Sequence, residues 1–134
     1  MAHEIILDFD KIPTATLQQK KAAIINGHIS MYEPANVKLA IREYEWRLKR
    51  HRPVVPIKGP VKVTVCWAFG AKEHRKWGNP KVTRPDLDNM AKMLLDRMTK
   101  LGFWEDDSQI TDLELKKYWS DRSRIIITYE EVTI

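Results

Sequence analysis

Cysteine, zinc-site histidine spacing and long apolar runs are nearly absent from this sequence. The one cysteine, Cys66, cannot form an internal disulfide, and its place in the apolar run from Val63 to Trp67 predicts a buried thiol in a reducing compartment. No apolar stretch approaches the roughly 20 residues of a membrane helix, and the first residues lack the basic-then-apolar pattern of a signal peptide. The four histidines show no zinc-site spacing. We therefore expect a soluble, cytoplasmic protein with no membrane contact.

Length and charge predict one domain over residues 1–134 with a polyanionic partner. Apolar residues make up 43% of the 134 residues, enough for a single core, while the formal net charge of +5 is only weak support for nucleic acid binding. Basic residues in 47–52 fall at a predicted helix end, where cations complement the helix dipole. A second basic segment is the better candidate for contacts with a DNA backbone: Lys72, Arg75, Lys76, Lys81 and Arg84.

Alternating apolar residues predict the strands of one mixed sheet. The clearest strand covers 61–69 and is expected to be central. The dipeptide Asn26-Gly27, which lies between two apolar runs, predicts a hairpin turn. Further strands are predicted at 5–9, 113–115 and 125–132.

Helical spacing of apolar residues predicts two main helices. The first opens at Pro34 and ends near Leu48, and the second runs from Leu87 to Leu101, with Gly102 in a C-cap position. Together with the strands, this pattern predicts an α+β fold, a single domain with one mixed β-sheet and two main helices packed against it.

Two carboxylates, Asp86 and Asp88, stand at the predicted start of the second helix. Either one alone would be explained as a helix cap. At about 100° per residue, however, Asp88, Lys92 and Asp96 fall on one ridge that faces away from the core. Salt pairing between residues four apart is the structural alternative for this ridge.

A second acidic cluster follows the predicted cap at Gly102. The chain turns there, so Glu105, Asp106 and Asp107 can return toward the helix. Like charges that cluster in a basic protein indicate a compensating cation, and carboxylates without His or Cys suit Mg²⁺ better than zinc. Such a site would suit phosphodiester hydrolysis, in which Lys92 neutralises charge on the phosphate.

These residues resemble the RusA family of Holliday junction resolvases, bacterial and prophage proteins of similar length. The family pattern is matched by Arg84-Pro85-Asp86-Leu87-Asp88-Asn89, Lys92, Leu95-Asp96 and the segment from Gly102 to Ile110, where Ile110 replaces a valine. The resemblance implies that Asp86, Asp88 and Asp107 are catalytic carboxylates and metal ligands and that Lys92 is the essential basic residue. It leaves Asp106 as a ligand or a neighbour of the ligands, and Asp96 as a support for Lys92.

The resemblance also implies a function and its partners. It implies a homodimeric, Mg²⁺-dependent endodeoxyribonuclease that resolves four-way junctions by paired symmetric nicks, in DNA recombination and repair, without a small-molecule cofactor. A two-fold axis suits a junction that needs two symmetric cuts. The alternatives are a non-catalytic DNA-binding module and a nuclease for other branched DNA. Trp77 and Phe103 are candidates for stacking on a base, although packing is the favoured interpretation of Phe103.

Overall fold

The computed structural model describes residues 2–15, 21–25, 28–32 and 35–133, with backbone only for 21–32. Its strands are β1 (His3–Asp8), β2 (Lys21–Ile25), β3 (His28–Tyr32), β4 (Val61–Gly70), β5 (Ile110–Ser120) and β6 (Arg124–Glu131). The helices are α1 (Ala35–Leu48) and α2 (Leu87–Lys100), and short 3₁₀ turns cover Lys49–His51, His74–Lys76 and Asp107–Gln109. The predicted α+β class, with a mixed sheet and two helices, is confirmed.

The four-stranded sheet has the order β1-β6-β4-β5, so the strand predicted to be central lies in the interior. β4 pairs parallel with β5 and antiparallel with β6, which in turn pairs antiparallel with β1. Alternate β4 residues from Val61 to Trp67 are fully buried, which explains the strict alternation in the sequence. The parallel β4–β5 pair requires a crossover, and α2 provides it.

The predicted hairpin strands form a separate two-stranded antiparallel sheet. β2 and β3 pair with Ile25 opposite His28, the register expected for a two-residue connection. Asn26-Gly27 and Pro34, the residues on which the turn and helix-start predictions depend, lie outside the described residues.

α2 is held by its apolar face, by an ion pair and by its C-terminal cap. Its inward side chains, including Leu94 and Met98, are fully buried, and Arg97 donates to Glu45 of α1 at 2.9 Å. At the end of α2, Gly102 has φ +88° and its N–H donates to Thr99, as in a Schellman motif. Within the described part of the chain, neither helix has the length and apolar character needed to cross a bilayer.

Candidate active site

The first group of predicted site residues, here called the front arm, consists of Asp86 and Asp88 at the start of α2. Asp86 occupies the N-cap position, and its carbonyl accepts from Met90 N–H at 3.1 Å, but its carboxylate makes no capping hydrogen bond to the described helix. Asp88 is exposed, and its Oδ1 accepts only from the adjacent Asn89 N–H at 3.0 Å among the described contacts. The capping interpretation of Asp86 is therefore not supported, and both residues lie at the N-terminal, positive end of the helix dipole.

The ridge predicted from helical spacing lies on the exposed side of α2. Asp88 and Lys92 are exposed and Asp96 is half-buried. Among the described residues, Lys92 forms no ion pair with either carboxylate. The structure therefore gives no support to the salt-pairing alternative or to Asp96 as a support for Lys92.

The second group, here called the rear arm, consists of Asp107, Thr99, which contacts it, and Trp104, which contacts Thr99. The Thr99 hydroxyl lies within hydrogen-bond distance of Asp107 Oδ1 and, at 3.0 Å, of the Leu95 carbonyl, so its single proton serves one of them at a time. The same hydroxyl accepts from Trp104 Nε1 at 2.7 Å. Because Trp104 is fully buried, this chain of contacts fixes one carboxylate oxygen of an otherwise exposed aspartate.

Asp106 has a local structural role that explains its place in the motif. Its carboxylate accepts from the backbone N–H and the hydroxyl of Ser108, and Gln109 reaches back in a capping box around the short turn that carries Asp107. The hydrogen bonds from Ser108 hold the pKa of Asp106 below its ordinary value. Gln109 Nε2 also donates to the Ile57 and Gly59 carbonyls at 2.8 and 3.0 Å, which anchors the turn. Asp106 therefore shapes the turn through Oδ2, and its role as a metal ligand stays a prediction.

The two arms lie near opposite ends of α2. Lys92 and Asp107 line one open pocket of about 390 Å³, and neither Asp86 nor Asp88 lines it. Asp88 and Thr99 are eleven residues apart, which is about 16 Å along a helix axis. Among the residues that the structure describes, no three His, Cys, Asp or Glu side chains form a metal-binding group. The prediction that Asp86, Asp88, Asp107 and Asp106 together hold metal is therefore not met by a preformed cluster within one chain.

Lys81 differs most from its predicted role. It was predicted to contact DNA, but it is only 8% exposed, and its ammonium group donates to the Thr83 hydroxyl at 2.6 Å and to the Arg84 carbonyl. It also lies over the rings of Phe69 and Trp119, at 5.0 and 4.8 Å. Burial, with a smaller effect from the neighbouring Lys117, lowers the pKa of Lys81. With its donors directed at the protein, Lys81 supports the loop instead.

The other predicted DNA contacts are at the surface. Lys72, Arg75 and Arg84 are exposed and Lys76 is half-buried. Glu73 pairs with Arg75 at 2.7 Å and with Lys76 at 3.4 Å, which reduces the charge that this turn offers to a phosphate. Lys72 and Arg84 have no ion-pair partner among the described residues.

The two aromatic candidates pack on their own protein. Trp77 stacks on His74 with ring centroids 4.2 Å apart, and its Nε1 donates to the Ala71 carbonyl at 2.8 Å, although it remains 39% exposed. Phe103 is fully buried and makes edge contact with Tyr129, which confirms the packing interpretation.

Three residues near the site were not predicted: Thr99, Trp104 and Lys117. Lys117 alternates with Leu113 and Leu115 along β5 and is half-buried, so its charge needs partners in place of part of its hydration. A lysine that alternates with apolar residues of a strand is a signal that the sequence contains. Nothing local marks Thr99, because its partner Asp107 reaches it only after the chain has turned.

Comparisons with known proteins match most of the chain to RusA endodeoxyribonucleases. A family model described as Endodeoxyribonuclease RusA matches residues 11–130. The chain is 34% identical over 132 residues to the crossover junction endodeoxyribonuclease rusA of Lactococcus phage r1t, covering 98% of this chain and 100% of that protein. It is 30% identical over 124 residues to the uncharacterized protein YqaN of Bacillus subtilis (strain 168), covering 84% and 87%. A stretch of 38 residues is 47% identical to the crossover junction endodeoxyribonuclease RusA of Escherichia coli (strain K12), covering 28% and 32%.

Proposed function

The chain belongs to the RusA family of endodeoxyribonucleases, and from this premise we propose that it resolves Holliday junctions by paired symmetric nicks with Mg²⁺ as its cofactor. The observation that carries the proposal is the front arm at the N-terminus of α2. There the Asp86 carboxylate makes no capping hydrogen bond, and Asp88 accepts only from Asn89 N–H among the described contacts, so carboxylate oxygens remain available. A helix N-terminus also favours a phosphate group, so metal and substrate can meet there. Recombination and repair are the processes that generate four-way junctions, and we place the protein in them.

The donor set of this site fits Mg²⁺. Mg²⁺ is usually bound by one or two carboxylates, with waters and substrate phosphate completing its ligands. The two carboxylates of the front arm are therefore enough protein ligands for initial binding of the ion. Bound there, Mg²⁺ would activate a water molecule and offset charge on the phosphate. Asp86 and Asp88 would hold it, with Asp107 as the third carboxylate.

The distance between the arms supports a homodimer with shared sites. Mg²⁺ ligands lie about 2 Å from the ion, whereas Asp88 and Thr99, the residue that holds Asp107, are about 16 Å apart along the helix axis. A two-fold axis that brings Asp107 of one protomer to the front arm of its partner would complete both sites at once. Two such sites also suit a substrate that requires two symmetric cuts.

The remaining residues bind and orient the DNA. Lys92 is exposed on the ridge, where its ammonium group can offset charge that develops on the phosphate during cleavage. Lys72 and Arg84 are the best placed cations for backbone phosphates, with Arg75 and Lys76 as weaker contacts because both pair with Glu73.

The Thr99 hydroxyl provides a test of the rear arm. We expect Thr99→Val to raise the Mg²⁺ concentration required for half-maximal cleavage by about tenfold, because groups that orient a metal ligand typically contribute that much. Valine keeps the shape but leaves Asp107 and Trp104 without their shared partner. Thr99→Ser is the matched control and should behave like the wild type. Metal binding is measured separately by calorimetric titration, and an unchanged isotherm for Thr99→Val would contradict this role.

The experiment that tests the function compares substrates and metal. Purified protein is mixed with an end-labelled four-way junction or with the matching linear duplex, in Mg²⁺ or in EDTA. We expect paired nicks at symmetric positions, only in the junction and only with Mg²⁺, on a denaturing gel.

Other outcomes identify the alternatives. Cutting of flaps, forks and duplex at similar rates would indicate a less selective nuclease. A junction that is shifted on a native gel but never cut would indicate a DNA-binding module. Cleavage in EDTA would exclude the metal from the reaction.

A further inference from the structure

Lys117 lies within β5 at a position that belongs to the core side of the sheet. It pairs in register with Trp67 of the central strand, which is fully buried. Its backbone carbonyl accepts from Lys81 N–H at 3.2 Å, so the strand and the loop before α2 are already joined here. Lys117 is half-buried, so acceptors within the protein replace part of the hydration that its ammonium group loses.

Those acceptors are the carbonyls of the loop that leads into the front arm. Lys117 Nζ donates to the Thr83 carbonyl at 2.7 Å and to the Pro85 carbonyl at 2.9 Å. Lys81 Nζ donates to the same Thr83 carbonyl at 3.3 Å and to the Arg84 carbonyl. Two ammonium groups thus bind three consecutive carbonyls of residues 83–85.

This arrangement fixes the backbone of Asp86 from both sides. The Pro85 carbonyl, held by Lys117, immediately precedes Asp86, and the Asp86 carbonyl accepts the first helical hydrogen bond from Met90. Hydrogen bonds from a charged donor are stronger than those between neutral groups. Lys81 lies only two residues from Thr83, whereas Lys117 connects the loop to the central sheet across more than thirty residues of sequence.

We propose that Lys117 is a positioning residue that ties the loop 83–85 to β5 and thereby sets the orientation of Asp86 and Asp88. Lys117 does not contact the reacting phosphate in this assignment. It acts through the backbone, so its removal should change the rate of the chemical step more than the affinity for DNA. The catalytic part of this inference rests on the proposed endonuclease function.

The test uses Lys117→Met with Lys116→Met as its matched control. The control removes the same charge one residue away, where Lys116 is exposed and pairs only with Glu114, at 3.2 Å, among the described residues. We expect Lys117→Met to lower kcat for junction cleavage at least about tenfold with little change in KM, because small displacements of catalytic groups are costly. Lys116→Met should match the wild type, and Lys117→Arg should recover part of kcat because it retains charged donors.

A second readout does not depend on cleavage. Backbone ¹⁵N order parameters of Thr83, Arg84 and Asp86 should fall in Lys117→Met and stay unchanged in Lys116→Met. If Lys117→Met does not fold, Lys117→Gln, which keeps a neutral donor, replaces it in both measurements. Unchanged order parameters, or an equal rise of KM in both methionine variants, would overturn the proposal. A wild-type protein that cuts no DNA would contradict the proposed function, while the order parameters would still decide whether Lys117 holds the loop.

Discussion

Asp88→Asn is expected to reduce junction cleavage by more than about 10²-fold, since losing a metal ligand should cost more than losing a group that only orients one. The substitution preserves size and leaves the fold intact, because Asp88 is exposed and its Oδ1 contact to Asn89 N–H can be kept by the amide oxygen. It removes a negative charge from the phosphate site. Junction binding should therefore be equal to that of the wild type or tighter.

The measurement pairs a single-turnover cleavage assay with a native-gel titration of the same junction. Asp10→Asn serves as the matched control, because Asp10 is also exposed but follows β1 at the opposite edge of the sheet from β5. Cleavage by Asp88→Asn at the wild-type rate would refute the assignment of the front arm. Loss of binding together with cleavage would indicate that Asp88 maintains the DNA-binding surface instead.

Two inactive variants should restore each other when they form one dimer. With sites shared between subunits, a heterodimer of Asp88→Asn and Asp107→Asn has one doubly altered site and one site with every carboxylate intact. We expect roughly half of the wild-type nicking rate from this heterodimer, as single nicks rather than paired ones. If each chain carried its own complete site, both sites of the heterodimer would be damaged and no activity would return.

The heterodimer is obtained by co-expressing the two variants with different affinity tags and purifying on both. The controls are homodimers of each variant, with one tag on each subunit, purified in the same way. These homodimers should stay inactive. A heterodimer as inactive as these controls would refute shared sites, and the two arms of one chain would then have to approach each other on DNA. A monomeric mass by light scattering at assay concentrations would remove the basis of the prediction.

The two ends of α2 show which features of a helix can be predicted from neighbouring residues in the sequence. Helical periodicity correctly placed Asp88 and Lys92 on the exposed side, because the angle between side chains depends only on their spacing. The Gly102 cap was predicted for the same reason, since its φ of +88° is a local backbone property. The salt-pairing alternative also followed from spacing along the helix. The side-chain positions give it no support, because Lys92 forms no ion pair with Asp88 or Asp96 among the described residues.

Lys81 and Lys117 show where that reasoning stops. Both residues are basic. The basic composition of its segment predicted that Lys81 contacts a DNA backbone, as it would for any exposed lysine. The structure buries Lys81 over Phe69 and Trp119 and directs both ammonium groups at loop carbonyls. Alternation along β5 marks the face of Lys117 but not its partners, and the burial of Lys81 depends on which segments the sheet brings together.

The sequence by itself determined the α+β class, the central strand, α2 with its cap, and the acidic motif that identifies the family, because each depends on residues close together in the chain. Tertiary structure alone decided that Asp107 is held by Thr99 near the C-terminal end of α2, and that Lys117 binds the loop 83–85 that precedes Asp86. The physical reason is the parallel pairing of β4 with β5. It requires a crossover helix, and along that helix Asp88 lies about 16 Å from Thr99, the residue that holds Asp107.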